Sequence, residues 1–122
     1  MHTKIKCKYL YDGIEAKLQP DMEILIDGQI ISAVGHNLPC PENTPLIDLS
    51  SMTVTPGMID GHVHPQFFDY RELYNEYVTL SDGYRTLATA SCARNTLAGG
   101  FTTIRSMGWF SEAYEIDVKR AI

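Results

Sequence analysis

The sequence predicts an α/β chain in two parts: a small β-sandwich segment over 1–55, then alternating strands and helices over 56–122. Three observations predict it. Asp27-Gly28 lies between the runs Met22–Ile26 and Gln29–Val34, the pattern of a two-residue hairpin. Pro56-Gly57 opens a short apolar run that ends on His62 and His64. A capped helical stretch, a Gly99-Gly100 stop, a second β-prone run and a second helical stretch follow. Strand, helix, strand and helix in that order imply parallel strands joined by a right-handed crossover.

Taken in order, residues 5–11 alternate weakly, with Ile5, Cys7 and Tyr9 against Lys4, Lys6 and Lys8, and Asp12-Gly13 turns the chain. Residues 14–21 are polar and read as a loop or a short irregular strand. The hairpin follows; a type I′ turn at Asp27-Gly28 needs positive φ at both positions. Both of its strands carry apolar residues on both faces, so both should be sandwiched. Residues 36–45 hold three prolines and two asparagines and read as a loop. His36 and Cys40 within it read as surface residues. Leu46–Leu49 and Met52–Thr55 are two further short strands.

Beyond Pro65, residues 66–77 form a long, aromatic-rich connection. Phe67, Tyr70, Tyr74 and Tyr77 either line a pocket or pack a short helix. Ser81 is placed to cap a helix from about 82 to 97, which Gly99-Gly100 ends. Phe101–Arg105 is the second strand of this part, closed by Met107-Gly108. Residues 112–122 form a helix with Glu112 and Glu115 early and Lys119 and Arg120 late, as the helix dipole favours.

The 122 residues suffice for one modest domain with a core. The net charge of −5, with no cluster of Lys and Arg, argues against a nucleic-acid groove or an anionic membrane as partner. Cys7, Cys40 and Cys92 are widely spaced and form no Cys-x-x-Cys pair, so they suggest neither a zinc cluster nor a disulfide framework. Three reduced thiols and no apolar leader or span lead us to expect a cytoplasmic protein.

The chemistry concentrates in Thr55–Pro65. Alternate side chains of a strand share a face, so His62 and His64 project together with Cα atoms roughly 6–7 Å apart. Two imidazoles at that separation can converge on one metal ion. Pro65 biases His64 toward extended backbone and keeps it aligned with His62. His2 and His36 lack such a setting and are not expected to bind metal. Asp60 shares the face of His62 and serves either as an acceptor behind a histidine or as a structural corner.

The run Pro56-Gly57-Met58-Ile59-Asp60-Gly61-His62-Val63-His64 closely resembles the first barrel strand of the amidohydrolase superfamily. The strand Ile30-Ile31-Ser32-Ala33-Val34-Gly35 is similar to the hairpin strand of that family's N-terminal β-domain. Thr96–Arg105 resembles the second barrel unit of the branch with imidazolonepropionase and the metal-dependent prolyl dipeptidases. That branch usually has Asp after the strand's Arg, where this chain has Ser106.

The resemblance implies that residues 56–122 begin a TIM (β/α)₈ barrel, which takes about 250 residues and is incomplete in this chain. It implies a metal-dependent hydrolase of carbon–nitrogen bonds acting on a small molecule, with His62 and His64 among its ligands and zinc as the foremost metal. The remaining ligands and the catalytic Asp are expected beyond Ile122, so a binuclear centre and activity are expected only of a full-length protein. Phe67, Tyr70, Trp109 and Phe110 follow the two barrel strands and are expected at one rim, around the substrate. These residues alone are expected to be inactive, with exposed edges that favour a homo-oligomer or contacts with other copies. The other function class is an inactive, truncated or scaffold-type relative that serves in assembly.

Overall fold

A computed structural model describes residues 1–66, 79–108 and 113–122. The chain divides into two compact units, Met1–Pro56 and Gly57–Ile122. The first unit is a four-stranded sheet of β1 (His2–Leu10), β2 (Gln19–Asp27), β3 (Ile30–Gly35) and β4 (Leu46–Val54), in the order β3-β2-β1-β4. β1–β2 and β2–β3 are antiparallel; β1–β4 is parallel.

The hairpin forms where expected, but its turn lies one residue later. Asp27 stays in the strand, paired with His2 on one side and Ile30 on the other. The loop is therefore Gly28-Gln29. Gly28 has φ +61, and neither Asp27 nor Gln29 has positive φ. Positive φ at the first central position alone is the type II′ pattern, which places Gly there, and not type I′. The pairing of Asp27 with β1 moves the turn. A bulge follows at Ser32, where Leu25 faces Ala33 and Ile26 faces Ile31, and the Ser32 hydroxyl donates to the Leu25 carbonyl at 3.0 Å.

β4 is one strand where the sequence suggested two. Its pairing with β1 slips between Cys7–Leu49 and Tyr9–Thr53, so Ser50 and its neighbours form an irregularity inside a continuous strand. The Asp48 carboxylate closes that bend by accepting the Ser50 N–H at 2.9 Å.

Cys7, Leu10, Met22 and Ile24 are buried together, flanked by Ile5, Ile26, Leu49 and Val54. Cys7 faces Met22 and Ile5 faces Ile24 across β1–β2, so this cluster follows from strand register. Burial pushes the Cys7 thiol above its usual range, which keeps it protonated. Both hairpin strands are expected to be sandwiched; β2 buries Met22 and Ile24 on one face, and β3 has no buried residue. Ile30, Ile31 and Val34 are exposed, because β3 is an edge strand with a neighbour on one side only.

The second unit is parallel, as the sequence order requires. β5 (Met58–Val63) pairs with β6 (Phe101–Ser106), and α1 (Asp82–Ala98) joins them in sequence; α2 (Ala113–Ala121) follows. The Ser81 hydroxyl accepts the Tyr84 N–H and caps α1. Gly99 and Gly100 end it, with Gly100 at φ +92 and its carbonyl accepting the Met58 N–H at 2.9 Å. Tyr114 of α2 donates to Asp82 and accepts from Arg85, both at 2.8 Å, which locks α2 to the start of α1. Glu115 lies in the first turn of α2 and Lys119 and Arg120 in its last, matching the dipole argument.

Candidate metal-binding end of β5 and β6

β5 opens at Gly57 for a steric reason. A Cβ there would lie 2.1–2.6 Å from the Thr102 side chain, so only glycine lets the two strands approach. The β5–β6 register slips twice, between Met58 and Ile59 and again between Asp60 and Val63. The second slip spans His62, so the histidines stand where regular pairing gives way. The last rung is the Met107 N–H donating to the Val63 carbonyl at 3.0 Å.

His62 is exposed and His64, one residue past the strand, is half-buried. Their ring centres are 5.2 Å apart with the planes at 76°. His64 Nδ1 lies 2.7 Å from the Gly108 carbonyl. A carbonyl only accepts, so that nitrogen carries the proton and the lone pair of the neutral ring is on Nε2. The Gly108 N–H in turn donates to the Ser106 hydroxyl at 3.1 Å. Asp60 accepts the backbone N–H of His62 at 3.0 Å, which braces the main chain at that residue. Pro65 and Gln66 are buried, and the Gln66 amide donates to Glu115 at 3.0 Å.

His2 and His36 belong to the first unit. His2 Nδ1 faces Asp27 at 3.6 Å, and His36 Nδ1 bonds the Asp21 carbonyl at 3.0 Å. Cys40 is exposed and Cys92 partly so, and both are free thiols. Among the described residues, no group of three or more His, Cys, Asp or Glu could hold a metal ion. Phe67, Tyr70, Trp109 and Phe110, expected at the rim, lie outside the described residues, as do Tyr74 and Tyr77. No helix among the described residues is long and apolar enough to cross a membrane.

Sequence reasoning gave Gly108 only as a strand stop, Glu115 only as a helix-dipole charge and Gln66 only as part of a connection, and it treated Ser106 only as a missing Asp. A readable signal existed for one contact: Ser-x-Gly at a strand end favours a hydroxyl bonded to the amide two residues on.

No protein-family model matches the chain. Over 97 residues it is 37% identical to a dihydroorotase of Citrifermentans bemidjiense, a match that takes in 78% of this chain and 18% of that protein. The crystal structure of a Xaa-Pro dipeptidase with bound methionine superposes on 100% of this chain at a TM-score of 0.85 and 30% identity, using 30% of its own length. A crystal structure of an amidohydrolase superposes on 98% at a TM-score of 0.74 and 28% identity, using 29% of its own length. The chain thus spans about a fifth of the dihydroorotase and under a third of either enzyme structure. Sequence and fold similarity meet on one group of hydrolases: this chain belongs to the amidohydrolase superfamily.

Proposed function

We propose that these residues are the N-terminal part of a metal-dependent amidohydrolase that cleaves a carbon–nitrogen bond of a small amide, dipeptide or cyclic amide. His62 and His64 are its first two metal ligands, and zinc is the foremost metal. The observation that carries this reading is the ring geometry. Two imidazoles bound through one nitrogen each to a tetrahedral ion, at about 2.0–2.1 Å, have ring centres about 5 Å apart. The separation of 5.2 Å matches that value. The Nδ1 contact of His64 with Gly108 supports it too, since metal-binding histidines commonly give their second N–H to a carbonyl or carboxylate.

A divalent ion at such a site polarises a scissile carbonyl and makes water acidic enough to ionise near neutral pH. The residues in hand hold and orient. His62 and His64 supply nitrogen donors, Asp60 braces the His62 main chain, and Gly108 fixes the His64 ring. Catalytic zinc sites have three protein ligands plus water, so the third comes from residues outside the described ones. The names of the relatives, dihydroorotase and Xaa-Pro dipeptidase, support keeping both a cyclic amide and a dipeptide in the substrate class. An assembly-only role has no comparable support.

Metal analysis of the full-length protein tests the reading. His62→Ala and His64→Ala should each lose most of the bound metal and the hydrolase activity, and His36→Ala neither. Equal metal content in all three variants overturns the assignment.

A further inference from the structure

We infer that Ser106 is a positioning residue for His64. Its hydroxyl holds the turn after β6 so that the Gly108 carbonyl fixes the His64 tautomer. The inference rests on the reading of His64 as a ligand, and it extends that reading to a residue that touches neither metal nor substrate.

Three consecutive residues tie the end of β6 to the end of β5. Ser106 is in register with Val63, Met107 donates its N–H to the Val63 carbonyl, and Gly108 accepts from His64. The last contact is the demanding one. Gly108 has φ +71, a left-handed conformation open to glycine at little steric cost. Nothing in a glycine itself favours that well over the others. The hydrogen bond from the Gly108 N–H to the Ser106 Oγ holds the Met107–Gly108 peptide plane, the base from which that φ swings the carbonyl. With the amide held, the carbonyl of the same residue is aimed at Nδ1, 2.7 Å away. Gly108 thus links a hydroxyl to an imidazole through the two peptide units that meet at its Cα, its amide held by Ser106 and its carbonyl by His64.

The consequence for ligation is electronic as well as geometric. A neutral imidazole has one proton to place, and a carbonyl partner at Nδ1 decides which nitrogen keeps the lone pair. Without the Ser106 hydroxyl the turn samples other conformations. The carbonyl then leaves Nδ1 for part of the time, and both tautomers and other ring rotamers are populated. Affinity falls by the fraction of time the ring is competent. Loss of a partner behind a ligand typically costs 10–100-fold in metal affinity. Ser106 acts one bond further back, so the expected loss lies at about tenfold.

The test uses the full-length protein, zinc alone as probe, and two readouts. Zinc affinity is measured by competition with a chelator of known affinity. The His64 tautomer is measured by ¹⁵N NMR of the metal-free protein. Ser106→Ala should weaken zinc binding about tenfold and replace a single Nδ1–H signature by a tautomer mixture. Ser106→Thr, which keeps the hydroxyl, should preserve both. If Ser106→Ala does not fold, Ser106→Val removes the oxygen acceptor with a side chain suited to a strand and is judged by the same readouts. A serine-free variant with the wild-type tautomer and wild-type affinity overturns the proposal. A variant with an altered tautomer in a protein whose zinc is indifferent to His62→Ala and His64→Ala keeps the positioning role and overturns the metal reading, so the two failures are distinguishable.

Discussion

The two sheets of this chain pair their strands by different means. In the first unit, β2 and β3 are neighbours in sequence and are closed by Gly28-Gln29, so a two-residue turn nearly dictates the pairing. In the second unit, β5 and β6 are parallel, and no local turn can join them. Their fit is set by contacts between residues far apart in sequence: Thr102 against Gly57, Gly100 beneath Met58, and Met107 on Val63. The first arrangement gives a hairpin with a single slip, at the Leu25–Ile26 bulge, over an apolar cluster. The second gives two register slips and a strand end at which His62, His64 and Gly108 meet. The candidate site lies where the β5–β6 pairing is interrupted, at the second register slip.

The comparison breaks most readily in the first unit. Ile24 is 6% exposed and belongs to the cluster with Cys7, Leu10 and Met22. Ile24→Ala should cost about 2–5 kcal/mol, the range for buried aliphatic truncations. Urea denaturation of the full-length protein reads this as a lower midpoint for the unit that holds the sheet. Zinc affinity under native conditions should be unchanged, because that cluster belongs to the first unit and His62 and His64 to the second. A loss of zinc affinity in this variant would show the site to depend on the first sheet.

The contrast also accounts for what the sequence disclosed. The hairpin, the cap at Ser81 and the Gly99-Gly100 stop were legible because each depends on residues adjacent in the chain, and the parallel order of β5 and β6 because a helix stands between them in sequence. The His62–His64 pair was legible from strand alternation and from the run around it. What was not legible depends on partners elsewhere. The turn moved to Gly28-Gln29 because His2 claims Asp27, and β4 runs through Ser50 because β1 pairs on both sides of it. The orientation of His64 by Gly108 depends on a carbonyl direction, which no residue type encodes. Ser106 illustrates the limit of comparison by type: read as a departure from Asp, it is an acceptor in its own right, bonded to Gly108.

Gly57→Ala sharpens the comparison at the start of β5. The added methyl would meet Thr102 Oγ1 at 2.1 Å and Cγ2 at 2.2 Å, so backbone or side chain must move. Overpacking of this kind costs about 1–3 kcal/mol. The movement falls on the β5–β6 pairing, so this variant should lose zinc affinity as well as stability. Removing the obstacle in Gly57→Ala/Thr102→Gly should restore zinc affinity, although glycine in a strand keeps part of the stability loss. A single variant with wild-type stability and zinc affinity would show that the strand approach is not set by this contact.

The smallest effect is electrostatic and returns to the first unit. Lys4 of β1 and Glu23 of β2 meet at 3.0 Å, with side chains only 16% and 14% exposed. Both also hold the loop after β3: Glu23 accepts the Leu38 N–H and Lys4 donates to the Leu38 carbonyl, each at 2.7 Å. The Lys4 hydrogen bond, followed by that of the Leu38 amide, keeps the Glu23 carboxyl below the usual range. The Glu23 hydrogen bond raises the Lys4 ammonium above its usual range. The signs are opposite in pH. A depressed carboxyl stabilises the folded state above its unfolded value, about 4.3, and the gain is lost as pH falls through the folded value. A raised ammonium stabilises below about 10.4, and the gain is lost as pH rises through its folded value. Wild type should therefore exceed Glu23→Gln in urea midpoint by a constant amount near neutral pH. The gap should narrow below about pH 4, where the carboxyl takes up its proton. The His64 tautomer should not respond, since the pair acts on the loop after β3. A gap that stays constant down to pH 2 would mean that Glu23 acts through packing and its amide contact and not through its charge.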